Sequence, residues 1–300
     1  MSLPDKTTSY LHWAKTTGEK RVSEDEVSSW LPFADAGIQP YPVDHAEASN
    51  HERTARLASI RLSENDTRSL QQMSQKLNVR FHEMLIASSA CALTQWSGNE
   101  WAIFDLEGHG REIQESGIDI SRTVGWFTTI FPVYLHIDRQ LNTKDVVKLV
   151  SEQLAPFIEH SAGFQFARFP RFCDELSRQL EKVHRPSISF NYLGQFDGML
   201  KDQRFRIASE STGFERHPEN LRSYEIDLSA RLVSGQLSID IAYSSARYLE
   251  STVAQLAELI REALADLSQL DVSSPEEMTM KAIGVSADDV ENVLDEMGLE

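Results

Sequence analysis

The sequence predicts an α/β protein, on three observations. Residues 55–62, 224–233 and 236–243 alternate apolar and polar side chains, the period of a strand with one buried face. Residues 81–96 are apolar around much of a helical circumference, the pattern of a buried helix. Strand-like and helix-like segments interleave along the chain instead of falling into separate blocks.

Taken in order, residues 1–54 are polar, with a short helix expected over 9–20 and an extended stretch at Gln39-Pro40-Tyr41-Pro42. This segment reads as a lead-in lying across a surface, not as a domain. The main body runs from 55 to 272. It opens on the strand 55–62 and a helix capped near Ser63 that carries Leu70, Met73 and Leu77. The helix 81–96 is broken by Ser97-Gly98-Asn99, and a strand from Trp101 delivers Glu107 to a glycine-rich loop. A strand at 130–137, helices at 143–157 and 171–182, and a short strand at 187–192 follow. Ser234-Gly235 turns the two alternating stretches into a hairpin, and a helix covers 250–267. Residues 273–300 form an acidic tail with a short helix expected at 287–297.

Three hundred residues with 41% apolar content can bury a sizeable core. A formal charge of -17 argues against nucleic-acid binding, which needs a basic surface to meet phosphates. Cys91 and Cys173 are too few and too separated for a disulfide framework. The first residues lack the apolar core of a signal peptide, and no stretch is long and apolar enough to span a bilayer, so a cytoplasmic protein is expected.

Chemistry concentrates in Glu107-Gly-His-Gly-Arg-Glu112. Two glycines around a histidine allow a sharp turn or close approach to a ligand. A carboxylate at a strand end meets low dielectric, which raises its pKa and suits it to proton transfer. Arg111 is able to hold a carboxylate bidentately. The same pattern also describes a structural turn with Glu107 paired to Arg111, and local sequence does not separate the two readings. His109 has no second ligand at metal spacing, so no metal site is expected. In the segment 122–132, Gly125 and Trp126 are candidates for a pocket wall, against the alternative of a packed core strand. Asn191 and Tyr192, ending the strand of Phe190-Asn-Tyr-Leu-Gly-Gln-Phe-Asp197, are candidates for hydrogen bonds to a substrate. There is no phosphate-binding glycine loop and no nucleophile elbow.

In order, EGHGRE at 107–112, RTVGWFTTIFPV at 122–133 and FNYLGQFD at 190–197 resemble the motifs of epimerization domains of nonribosomal peptide synthetases, a branch of the condensation-domain superfamily. The lead-in at 6–13 and the tail at 285–294 are similar to that family as well. The resemblance implies the second, C-terminal lobe of a two-lobed chloramphenicol-acetyltransferase-like fold, a mixed sheet flanked by helices. It implies an aminoacyl or peptidyl thioester as substrate, carried on the phosphopantetheine arm of a carrier domain, with no cofactor bound directly. Glu107 is then the catalytic acid/base, Asn191, Tyr192, Trp126 and Gly125 shape the pocket, and His109 and Arg111 brace the loop.

Two departures accompany the resemblance. The family's first lobe carries an HHxxxDG motif, and this sequence has neither that lobe nor that motif. The family's PxxGxGYG segment is altered, with Gly163-Phe164-Gln165 where GYG is expected and Pro156 offset. The expected partners are therefore a peptidyl carrier domain and an N-terminal lobe, in the parent chain or a separate one. Without that lobe the chain is expected to be inactive or nearly so. A non-catalytic carrier-binding module and a peptide-bond-forming half-domain are the alternatives.

Overall fold

The computed structural model describes residues 5–19, 22–34, 37–111, 117–168, 175–196, 213 and 216–269. The expected tail helix at 287–297, and Glu112 and Asp197 of the two motifs, lie outside them. The described residues form one mixed six-stranded sheet with helices: α1 (Tyr10–Gly18), β1 (Ala55–Arg61), α2 (Glu64–Lys76), α3 (Phe81–Ser97), β2 (Trp101–Gly108), β3 (Thr129–His136), α4 (Thr143–Glu159), α5 (Ser161–Arg168), α6 (Glu175–Glu181), β4 (Ile188–Gln195), β5 (Ile226–Val233), β6 (Gln236–Ser244) and α7 (Glu250–Ser268).

The strand order is β1-β6-β5-β4-β2-β3. The inner strands β2, β4 and β5 run parallel, while β3, β6 and β1 pair antiparallel to their neighbours. Local chemistry sets the ends of the elements. Ser63 Oγ accepts the Asp66 N–H and starts α2, and Gly98 at φ 78° stops α3. Ser234 and Gly235, both at positive φ, make the two-residue turn between β5 and β6. Pro132 sits mid-strand in β3, which is tolerated because β3 is the sheet edge.

Along β5, Ile226, Leu228, Ala230 and Leu232 are buried and alternate with half-buried Asp227, Ser229 and Arg231. Helices α2, α3, α4 and α7 pack on one another and on the sheet. Met84, Leu85, Ile86 and Leu93 of α3 are all but inaccessible, and each such side chain contributes about 1.5–3 kcal/mol by leaving water.

One sequence expectation changes. The lead-in does not merely lie across a surface, because Val27 and Trp30 are fully buried. The Trp30 indole N–H donates to the Pro132 carbonyl at 2.7 Å, and its ring packs on Phe131, Phe157 and Phe164. Aromatic area anchors this polar segment where periodicity gave no sign of it. The altered segment Gly163-Phe164-Gln165 is helical, within α5. Gly163 lies against the Glu26 backbone, where a Cβ would come within 2.8 Å of the carbonyl oxygen, and Phe164 joins the Trp30 cluster.

Candidate active site

The parallel strands β2 and β4 are hydrogen-bonded neighbours, and their carboxyl ends open into a cleft of about 430 Å³. Ligands of α/β sheets characteristically bind outside such strand ends. Glu107, Gly108 and His109 come from the end of β2, and Asn191 and Tyr192 from β4. Thr128, Ile158 and Ser161 close another side, and Arg80, His82 and Ile86 come from the start of α3.

Glu107 stays reachable by solvent, and its Oε2 accepts a hydrogen bond from Asn191 Nδ2 at 2.7 Å. Desolvation by the cleft wall, and then the charge of Asp227, hold its carboxyl above the usual range. Asp227 is itself fixed, accepting from Ser189 Oγ and from Arg222 at 2.7 Å each. Two residues back on β2, Asp105 is buried, with Oδ2 accepting from Tyr224 at 2.7 Å. Burial raises its carboxyl, and the tyrosine bond and nearby Arg168 and Arg185 oppose that rise.

The turn after Glu107 requires its second glycine. Gly110 has φ +65°, and a Cβ there would overlap the Phe127 carbonyl oxygen. Arg111 does not pair with Glu107. Its guanidinium donates to the Ile120 and Thr123 carbonyls and lies 4.2 Å from the centre of the Phe127 ring, while its backbone N–H donates to His109 Nδ1 at 3.1 Å. Of the two local readings, the Glu107–Arg111 pair is thus absent among the described residues.

The structure brings together Glu107, His109, Asn191 and Tyr192, with Arg111 behind the turn. Gly125 and Trp126 are not among the residues lining this cleft. Trp126 is 77% exposed, its carbonyl accepts from the Tyr10 hydroxyl at 3.1 Å, and Gly125 lies against the Tyr10 ring. The segment is exposed at this point, does not line this cleft and is not a core strand. Sequence reasoning missed His82. The available signal was a ring of titratable chemistry at the head of an otherwise apolar helix. Among the described residues, no group of His, Cys, Asp and Glu is arranged to hold a metal ion, and no helix is long and apolar enough to cross a membrane.

The mixed sheet and its flanking helices match the chloramphenicol-acetyltransferase-like fold of condensation domains. The chain belongs to the condensation-domain family of nonribosomal peptide synthetases: the family model described as Condensation domain matches residues 1–280. It is 33% identical over 276 residues to a linear gramicidin synthase polypeptide of Brevibacillus parabrevis, covering 90% of this chain and 4% of that protein. It is 29% identical over 302 residues to tyrocidine synthase 2 of the same organism, covering 98% of this chain and 8% of that protein. The chain therefore spans a small part of these relatives. Among solved structures, it is similar to the epimerization domain from the third module of tyrocidine synthetase B, with a TM-score of 0.78 and 28% identity. That match covers 89% of this chain and 61% of the other. A four-domain nonribosomal peptide synthetase bound to AMP and glycine shares the fold at a TM-score of 0.64 and 14% identity, over 90% of this chain and 22% of the other.

Proposed function

We propose that this chain is the C-terminal lobe of an epimerization domain, and that Glu107 exchanges the α-proton of an aminoacyl or peptidyl thioester presented by a carrier domain. The observation that carries the reading is Glu107 itself: a carboxylate at a strand end, raised in pKa and oriented by Asn191, inside a cleft of substrate size. The EGHGRE motif around it and the likeness to a solved epimerization domain support the same branch.

In the proposed reaction the Glu107 carboxylate takes the α-proton, and the Cα–H electron pair moves toward the thioester carbonyl to give an enolate. Returning the proton to the opposite face inverts the centre. A positioned base contributes roughly 10²–10⁴-fold. Inversion needs a second group on the other face, which in this reading a first lobe bearing the HHxxxDG motif supplies. Exposed Leu11, Val124 and Trp126 gather around Tyr10, which touches Gly125 and Trp126, and an apolar cluster of this kind supports a covering partner.

The test rebuilds the complete two-lobed domain around this chain and follows exchange of the α-proton of a carrier-bound aminoacyl thioester in deuterated water. Glu107→Gln is expected to lower exchange by roughly 10²–10⁴-fold. Exchange unchanged by that substitution would remove Glu107 from the chemistry. Peptide-bond formation without inversion would place the chain on the condensing branch instead.

A further inference from the structure

His82 is the second residue of α3, and its ring lines the same cleft as Glu107 while coming from a different element. The ring is half-buried. It lies nearly parallel to Tyr192, at 17° with centroids 6.4 Å apart, and Phe81 meets the other side of the cluster edge-on to Tyr192. Tyr192 follows Asn191 along β4, so the two side chains leave opposite faces of the sheet, and Asn191 orients Glu107. His109 also reaches the cleft, but it is exposed and its Nδ1 accepts the Arg111 backbone N–H.

We infer that His82 is the electrophilic residue of the proposed enolisation, donating an N–H hydrogen bond from its neutral ring to the thioester carbonyl oxygen as Glu107 removes the α-proton. The inference rests on the epimerase reading of the cleft and adds a residue to it. Bond changes are those of enolisation alone. The Cα–H bond breaks, its proton passes to the Glu107 carboxylate, its electron pair becomes the C=C bond, and the carbonyl π pair moves onto oxygen. His82 keeps its proton throughout, so the histidine of the first lobe is left to serve the opposite face of Cα.

The surroundings of His82 favour this form. Burial first, and the Arg80 charge second, push the imidazole below its ordinary pKa, with Glu83 opposing them. The first turn of a helix also disfavours a cation, through the unsatisfied N–H groups that point there. The other ionisable groups lining the cleft are Glu107, His109 and Tyr192. Enolising sites gain from pairing a carboxylate base with an imidazole that a helix N-terminus keeps neutral, because an uncharged donor holds its proton while the oxygen gains charge.

The experiment uses the full chain with ¹⁵N-labelled histidine and two pantetheine-linked probes carrying the same amino acid, an amide that mimics the ground state and a hydroxamate whose oxygen mimics the enolate. The His82 ring is expected to titrate below a free imidazole. Its N–H signal is expected to move when the hydroxamate binds. His82→Phe keeps an aromatic ring against Tyr192 but has no N–H, and should lose the preference for hydroxamate over amide by roughly tenfold or more, since one preorganised donor to an oxyanion is worth about 10²–10³ in rate. His82→Gln, which restores a donor, should recover part of it. Titration of His82 like a free imidazole, or a preference unchanged in His82→Phe, overturns the inference and leaves the reading of the cleft standing. Failure of both probes to move the signals of His82 and His109, the two labelled histidines lining the cleft, overturns both.

Discussion

The turn at 107–111 and the turn at 124–126 both carry a glycine in an aromatic or titratable setting, yet the fold uses them oppositely. In the first, Gly110 is pinned under the Phe127 carbonyl and Arg111 is spent on backbone carbonyls, so Glu107 is left for the cleft. In the second, Gly125 and Trp126 are held by Tyr10 of the lead-in helix, and Val124 and Trp126 turn to solvent at 94% and 77% exposure. A glycine-bearing motif thus marks a backbone constraint. Which way its side chains face depends on what the rest of the chain packs behind it.

The largest effect expected from breaking this contrast is at Gly110. Gly110→Ala drives a methyl into a backbone oxygen and forces alanine to positive φ, with no flexible side chain to yield. A loss of about 3 kcal/mol or more in denaturant unfolding is expected, together with displacement of the Glu107 turn. Gly125→Ala meets the Tyr10 side chain instead of backbone, and that ring, 40% exposed, yields only by shifting against Trp13, Phe127 and its hydrogen bond to the Trp126 carbonyl. Its cost should be smaller, about 1–2 kcal/mol. Equal costs would show that the two turns are constrained alike.

A second contrast runs along β2, between buried Asp105 and accessible Glu107. Both carboxyls are raised by desolvation, so each favours the folded state while protonated and loses that contribution as pH rises through its folded pKa. Asp105 is the more deeply buried and should dominate. Asp105→Asn retains an acceptor for the Tyr224 hydroxyl and removes the charge. Its melting temperature relative to the parent chain should be higher near pH 7, and the advantage should shrink as pH falls into the carboxylate range. A difference that is flat with pH would mean that Tyr224, Arg168 and Arg185 fully offset the burial.

Much of this was legible in sequence where one local rule governed. Ser63, Gly98 and Ser234-Gly235 announce their caps and turn through their own backbone chemistry, and Ile226, Leu228, Ala230 and Leu232 carry a clear period of two. Glu107 was legible as a strand-end carboxylate, but its partner was not. Asn191 lies 84 residues away and reaches it only because β4 pairs beside β2. The direction of Arg111 was hidden for a similar reason, since its acceptors are main-chain carbonyls that every residue carries. Trp30 illustrates the tertiary limit. A single tryptophan in a polar lead-in gives no periodicity, and its burial follows from Phe131, Phe157 and Phe164 arriving from three later segments.

The smallest expected effect is the one that best sharpens the first comparison. Trp126 accepts the Tyr10 hydroxyl through its backbone carbonyl, which any residue supplies, and its side chain is mostly in water. Trp126→Ser should therefore leave the unfolding free energy of this chain within about 0.5 kcal/mol, as for a surface site. If the proposed first lobe covers Tyr10, Leu11, Val124 and Trp126, the same substitution should weaken association of the two lobes supplied as separate polypeptides, measured by titration calorimetry, by an order of magnitude or so. A large aromatic at the centre of an interface is the kind of residue that dominates its energy. Stability lost in the isolated chain would show that Trp126 packs internally. Association left unchanged would show that the first lobe docks elsewhere and that this apolar turn serves another contact.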